Sequence, residues 1–396
     1  MEDLLNSILT KMSNVNKPQA KAMFLILTAF AYFQGKANFR NLARFCSLAE
    51  DTLRSWSKVQ FCYQELNSQL MLNSVFNENQ EKIAALDASF IRKSGSKTEG
   101  VGYFHSGSSG RVERGLEMSL LSVIDLNRNT GFALLAQQTL PSNEEGNRID
   151  QALAHVFQCQ AELQRLGVTE LVVDAWYSKK RFVDGVLSQG LVVIGKLRGD
   201  ARLHFKPEVT KSVGRPKKYG QRLNMQDFRR LTKIELENEA FNLHTGVLYS
   251  KSLKKEIRIV ALRSRKTKKT HALLYSTNIN LSAEEILKKY RSRFQIEFII
   301  RDAKQHTGLE DCQARSTRSI EHHFNNSLTA LNLLKIEDVL ETETTTQKVI
   351  SIASWRRRKT NKRLAEIIID KLGVNRKSAK IKEIFEFIRG YGCIAA

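Results

Sequence analysis

Two short apolar runs that each stop at an aspartate constrain this chain more than any other feature. Lys82-Ile83-Ala84-Ala85-Leu86-Asp87 and Glu170-Leu171-Val172-Val173-Asp174 both read as buried strands ending in an acid. Between them come strand signals at Leu116–Ile124 and Gly131–Thr139, then an amphipathic helical pattern over Asn147–Leu166. A helix over Ser178–Ser188 and a strand over Leu191–Ile194 follow. The first three strands are close enough for a meander, and the later ones have the helical crossovers that parallel pairing requires. The expected class is α/β, with a mixed sheet flanked by helices. A carboxylate at a strand end stands on a rigid rim, and a hard divalent cation such as Mg²⁺ takes oxygen ligands. If the two strands are neighbours, both acids can share one ion. Taken singly, each aspartate is better read as the start of a loop or as a cap. This holds for Asp174 especially, because a helix follows it.

The regions around these strands differ in pattern. Residues 1–80 read as helical, with a long apolar helix over Lys21–Phe33. Short helices at Asn38–Cys46 and Glu50–Ser57, joined by Ser47-Leu48-Ala49, suggest helix-turn-helix. In that arrangement Arg40 and Arg44 stand near phosphates, and Thr52, Arg54 and Ser55 lie on the helix that enters a groove. A small bundle with a solvated basic face is the alternative. A Gly/Ser/Lys-rich loop is expected over Arg92–Gly115, with Lys93, Lys97 and Arg111 either closing over DNA or simply solvated. Residues 200–281 read as a β-rich insertion with runs at Phe241–Tyr249, Glu256–Leu262 and His271–Ser276. Nine basic residues and one acid lie between Lys251 and Lys269. Gly214-Arg215-Pro216 is similar to the minor-groove core of an AT-hook, although Val213 stands where an Arg is usual, so Arg215 is read as a backbone contact. The chain after residue 341 is helical and basic, with a phosphate-binding candidate at Arg356–Lys362.

Charge narrows the partner. The 396 residues include 63 Lys and Arg against 41 Asp and Glu, a net charge of +22. Such an excess implies a polyanion, either nucleic acid or an anionic membrane surface. The apolar run Met23–Phe33 is too short to cross a bilayer. The start, Met-Glu-Asp, lacks the basic segment of a signal peptide. The expectation is a protein of the cytoplasm. Cys46, Cys62, Cys159, Cys312 and Cys393 are odd in number and contain no C-x-x-C pair, so they read as free thiols in a reducing compartment. His306, His322 and His323 lack a Cys or acid at ligand spacing and read as satisfied helix histidines.

The sharpest pattern lies on a helix expected to start at the N-cap Ser282 and to continue past Lys304. Tyr290, Arg293, Glu297 and Lys304 fall at spacings that return to one face at about 100° per residue, and Arg301 joins them. Glu297 is the only acid on that polar stripe. A salt-bridged solvated face is the ordinary reading of such a pattern. Here one acid stands among three cations and a tyrosine, which suits a metal-binding carboxylate surrounded by phosphate-binding groups.

With Asp87 and Asp174, the motif Tyr290-x2-Arg293-x3-Glu297-x6-Lys304 resembles the DDE transposases of bacterial insertion sequences, in particular the IS4-type group with its YREK signature. The resemblance implies an RNase H-like catalytic core interrupted by a β-rich insertion and preceded by a helical DNA-binding region. The corresponding divisions are 1–80, 81–199, 200–281, 282–340 and 341–396. It implies that Asp87, Asp174 and Glu297 are catalytic and hold two Mg²⁺ ions, with Mn²⁺ as a substitute, for phosphoryl transfer on double-stranded DNA. It implies further that Tyr290, Arg293 and Lys304 grip phosphates near the transposon end. Arg301, Arg215 and Arg54 complete the expected DNA contacts. The reaction joins two ends, so a homodimer on DNA is expected, associated with a bacterial nucleoid. Trp176 is read as a packing residue at the strand–helix junction, with stacking on a distorted base as the alternative. The rival functions are a derivative that only binds DNA and another RNase H-like nuclease.

Overall fold

The computed structural model describes residues 1–77, 80–141, 147–207, 219–237, 239–342 and 351–394. Five helices come first: α1 (Glu2–Lys11), α2 (Lys17–Tyr32), α3 (Phe39–Leu42), α4 (Glu50–Trp56) and α5 (Tyr63–Leu72). Four strands follow: β1 (Lys82–Arg92), β2 (Gly102–Ser106), β3 (Arg111–Asp125) and β4 (Thr130–Thr139). Then come α6 (Arg148–Gln158), α7 (Gln160–Arg165), β5 (Glu170–Val173), α8 (Lys180–Ser188) and β6 (Val192–Leu197). Strands β7 (Leu203–His204), β8 (Thr232–Glu235), β9 (Phe241–Ser250), β10 (Lys255–Ser264) and β11 (Thr270–Ser276) precede a helical remainder. That remainder is α9 (Ala283–Ser292), α10 (Gln295–His306), α11 (Thr317–Thr342), α12 (Ile352–Leu372) and α13 (Ala379–Gly390).

All eleven strands belong to one mixed sheet. Long β3 pairs along one edge with β1 and along the other with β2 and β4 end to end. β1, β5 and β6 run parallel, each reached through helices. The order β4-β3-β1-β5-β6, a meander extended by parallel strands with helices on both faces, is the RNase H-like arrangement that the resemblance implies. The strands of residues 200–281 extend this sheet: β11 pairs antiparallel with β6, and β10, β9 and β7 continue outward.

The sheet is buried on both faces, so its central strands are apolar at every position. Ala84 and Leu86 of β1, with Leu171 and Val173 of β5, enter a core shared with α1, α2, α5, α6 and α8. Ile83 and Ala85, with Val172, enter a second core under α9, α10 and α11. The N-terminal helices belong to the first core. Tyr63 donates to Asn326 at 3.0 Å, and Asn67 donates to the carbonyl of Leu134 at 3.0 Å.

One edge of the sheet is closed by side chains. β4 lies at that edge, and its free backbone groups meet a row of polar residues on α11. Asn332 accepts from the N–H of Ala133 at 2.9 Å and donates to the carbonyl of the same residue at 2.7 Å. Asn325 does the same for Ala136 at 2.9 and 2.8 Å, and Glu321 accepts from the N–H of Gln138 at 2.9 Å. Residues 321, 325 and 332 share one helix face, as spacings of four and seven require. Backbone groups on one strand edge normally recur every second residue. A bulge in the β3–β4 pairing shifts this by one, so that Ala133 and Ala136 face the same way. Asparagine amides thus stand in for a missing strand, and the edge is closed.

Several local expectations need correction. β1 does not stop at Asp87 but runs on to Arg92, held by β3 along its whole length. The expected Arg92–Gly115 loop contains β2 and the start of β3. Lys93 there is tied to the carbonyl of Cys312. The helix expected over Asn147–Leu166 is two, α6 and α7, which meet at Cys159. The two short N-terminal helices are found, as α3 and α4. His323 shares a hydrogen bond with the carbonyl of Gly308 at 2.8 Å, and His322 pairs with Asn326 at 2.8 Å. All five cysteines are free. Among the described residues no helix is long and apolar enough to cross a membrane.

Candidate active site

Strand parity puts the two aspartates on one side of the sheet. Residues 83 and 85 of β1 and residue 172 of β5 face the core beneath α9 and α10. Asp87 and Asp174 continue those series, so both face the same helices. The parallel ladder ends at Leu86 opposite Val173, and the next residue on each strand is the aspartate. The acids therefore stand side by side where the parallel ladder ends, Asp87 within β1 and Asp174 just past β5. Asp87 also accepts from the N–H of Ala88 at 2.9 Å. Asp174 caps the following 3₁₀ turn, Ala175–Tyr177, with its Oδ1 2.8 Å from the N of Trp176. The capping role and a place on the rim are thus compatible.

Glu297 arrives from the helical layer. Ile296, Ile299, Ile300 and Ala303 bury one side of α10 in the second core, which turns Glu297 toward the rim. Arg293 joins the two layers. Its Nη1 is 2.8 Å from Asp87 Oδ2, and its Nη2 is 2.9 Å from Glu297 Oε1. Tyr290 lies beside that guanidinium, 5.9 Å from ring centre to Cζ. The expected continuous helix is interrupted at Arg293–Phe294, where α9 ends and α10 begins. The amides of Arg293, Phe294, Ile296 and Glu297 each bond to the carbonyl three residues back, a tighter winding than the α-helix. Uniform steps of 100° therefore do not describe this stretch.

The electrostatics are those of crowded acids. Burial, joined by the charges of Asp174 and Glu297, raises the carboxyl of Asp87 to about 6 against the pull of Arg293. Burial also raises the hydroxyl of Tyr290. Arg293 is itself largely buried, which works against its charge. The charges of Asp87, Tyr290, Glu297 and Asp174 together more than offset this, and the guanidinium is held above its ordinary value. Among the described residues no three His, Cys, Asp or Glu already stand as a group able to hold an ion.

The remaining expected residues lie farther out. Lys304 donates to the carbonyl of Phe90 at 3.0 Å and pairs with Glu310 at 2.9 Å, so it ties α10 to the end of β1. Arg301 pairs with Asp302 at 2.9 Å and stacks on Phe298. Arg54 is exposed on α4, paired with Glu50 and lying over Phe39. Arg215 lies outside the described residues. Part of the basic tail is turned inward: Lys359 is buried against Glu337 at 2.9 Å, and Arg356 covers Phe33, while Arg357 and Arg363 are exposed.

Beside the rim stands Trp176, read from the sequence as a packing residue with base stacking as the alternative, together with basic groups that the sequence reading did not single out. Trp176 is 36% exposed, with Arg148 and Lys179 within 5.1 and 4.4 Å of its ring centre. Arg148 in turn is paired with buried Glu117. A cavity of about 650 Å³ opens beside Trp176, lined in part by Lys179, Arg198, Arg202 and Lys251. Only the local basic density of the insertion hinted at this surface.

A family model for the DDE superfamily endonucleases matches residues 36–266. The chain belongs to that family. The matched span contains Asp87 and Asp174 and ends before Glu297, which is linked to Asp87 through Arg293. A comparison of the chain with curated proteins finds no match.

Proposed function

We propose that this endonuclease is a cut-and-paste transposase of the IS4 type, with Asp87, Asp174 and Glu297 as its catalytic carboxylates. One observation carries the reading: Asp87 and Asp174 stand where the β1–β5 ladder ends, and Arg293 ties Glu297 to Asp87. The Tyr290, Arg293, Glu297 and Lys304 spacing supports the subtype. Three carboxylates are a hard oxygen set that fits Mg²⁺, or Mn²⁺ in its place. Their mutual repulsion, felt at Asp87, is what a bound cation would relieve. Two such ions would supply activation of water or a DNA 3′-hydroxyl and stabilisation of the departing oxygen.

The chain's own residues hold and orient the DNA. Asp87 is fixed by the pairing of β1 with β3, and Asp174 by its cap on the 3₁₀ turn that follows β5. Tyr290, Arg293 and Lys304 face the phosphates of the transposon end. Arg301 and Arg54, and Arg215 on the insertion, add backbone contacts along the duplex. Residues 1–80 recognise the end sequence, the segments 81–199 and 282–340 form the core around the insertion, and 341–396 brace it. Two ends must meet, so the working form is a homodimer on double-stranded DNA, within the bacterial cytoplasm at the nucleoid. No covalent protein–DNA bond is needed, and no nucleophilic Ser or Tyr is invoked.

The test uses linear DNA carrying the sequences that flank the gene, with purified protein and Mg²⁺ or Mn²⁺. Cleavage at the element boundary and joining to a plasmid are expected. Asp87→Ala, Asp174→Ala and Glu297→Ala should each abolish both steps and leave DNA binding intact. Strand transfer surviving in any one of them would refute the triad. Binding without cleavage by the natural sequence would favour a derivative that only binds DNA.

A further inference from the structure

Arg293 is placed where a resident counter-ion would be, and this has a consequence for how the site is loaded. Its two terminal nitrogens engage Asp87 and Glu297 at 2.8 and 2.9 Å, one carboxylate each. The guanidinium is a flat, permanently charged spacer. Carboxylates bridged by Mg²⁺ lie about 2.1 Å from the ion, so they approach each other more closely than two groups on opposite nitrogens of an arginine. The side chain that neutralises the acids therefore also holds them apart, in keeping with the lack of a preformed three-acid group among the described residues. Arg293 also sits at the break between α9 and α10, where the helical hydrogen bonds shorten to three-residue spans. Tyr290 lies beside it, and Arg148 and Lys179 flank Trp176, two residues beyond Asp174; on the proposed reading a DNA phosphate would lie along this basic border and offer Arg293 a second partner.

We infer that Arg293 occupies the metal position in the DNA-free protein and moves to a DNA phosphate when DNA binds, so that DNA binding and divalent-metal binding are positively coupled. The inference rests on the proposed role of the three carboxylates. Displacement exchanges one charge-assisted contact for another: the guanidinium leaves two carboxylates for a phosphate, and the acids close on the ion. Coupling of this kind is reciprocal, so metal strengthens DNA binding by the same factor by which DNA strengthens metal binding.

The test measures Mn²⁺ binding to the full-length protein by electron paramagnetic resonance of the free ion. Without DNA, Arg293→Gln should bind Mn²⁺ on the order of tenfold more tightly than the natural sequence, within the usual range of coupling between sites. Arg293→Lys, which keeps the charge but cannot span two carboxylates, should fall between them. In the natural sequence, Mn²⁺ should tighten binding of a fluorescent duplex by a similar factor, read by anisotropy, and in Arg293→Gln it should not. This second measurement stands even if a variant folds poorly, because the first half needs no variant. Equal Mn²⁺ affinity in the natural sequence and Arg293→Gln, with duplex binding indifferent to Mn²⁺, overturns the counter-ion role. If Asp87→Asn added to Arg293→Gln fails to weaken Mn²⁺ binding, the carboxylates are not the metal site. In that case the proposed function falls first.

Discussion

Two groups of polar side chains, one buried and one half-buried, lie on opposite sides of β3, and they are built on opposite terms. The row on α11 is mostly neutral, and each asparagine amide both gives and receives a hydrogen bond along the β4 edge. The group where the β1–β5 ladder ends is charged, and its acids repel one another around a single shared arginine. A complete neutral network in low dielectric stiffens a structure. An incomplete charged one stores an appetite for a cation. The difference separates two uses of polar side chains: closure of the sheet in one place and, on the proposed function, chemistry in the other.

The largest effect should come from the charged group. Asp87→Asn is expected to lower cleavage by at least about 10³-fold, since a neutral amide cannot replace a carboxylate at a divalent ion. The same change should stabilise the fold. The folded-state value near 6 exceeds the ordinary 3.8, so between those pH values the folded chain binds more protons than the unfolded one. Stability from this group is therefore full at low pH and declines as the pH rises through the window from about 4 to 6. At pH 7 Asp87→Asn should be about 1–2 kcal/mol more stable than the natural sequence, and the slope across the window should shrink. Denaturant melts at pH 4 and pH 7 measure both. A loss of stability at pH 7 would mean that Asp87 serves the fold after all.

Lys289→Met probes a charged pair that resembles the α11 row in being fully matched. Lys289 Nζ lies 2.7 and 2.8 Å from the two carboxylate oxygens of Glu170, deep between α9 and β5. Removing the cation should cost about 3–5 kcal/mol, because Glu170 remains buried without it. A double change of Lys289→Met with Glu170→Leu should recover much of this. Asn332→Leu comes next, at about 2–3 kcal/mol, since Ala133 loses partners for both its N–H and its carbonyl. Its DNA cleavage per folded molecule should be unchanged, and a large fall in that rate would blur the distinction between the two groups. The smallest effect belongs to Arg54→Ala. Its ion pair with Glu50 is exposed, so stability should shift by less than about 0.5 kcal/mol. The salt slope of DNA binding should fall by about one unit if α4 meets a phosphate.

The charged group was easier to read in the sequence than the neutral one. Ile83–Leu86 and Leu171–Val173 announce buried strands because both faces of those strands are covered, and the acids after them break the pattern visibly. The Tyr290–Lys304 spacing is likewise written in residue numbers. The fate of each side chain in that stripe is not. A helical wheel assumes even winding, and the tightened turns at Arg293–Glu297 change which groups converge. Lys304 and Arg301 are drawn to Glu310 and Asp302, partners the stripe did not include. The asparagines of α11 were silent for a different reason. A buried amide row and a solvated polar face look alike in one helix, and the strand they serve lies almost 200 residues away in sequence. The break at Cys159 and the hairpin inside the Arg92–Gly115 segment were missed because short-range pattern does not report which strand edge is free to pair.

That sequence distance also sets a clock on synthesis. β4 leaves the ribosome about 200 residues ahead of Asn332. At roughly 5–20 residues per second its edge waits some 10–40 s for α11 to be made. For that interval the backbone of Ala133 and Ala136 is a bare template that another nascent chain can occupy. A product truncated before residue 317 never receives its lid, and it carries that open edge for its whole lifetime as an aggregation-prone fragment.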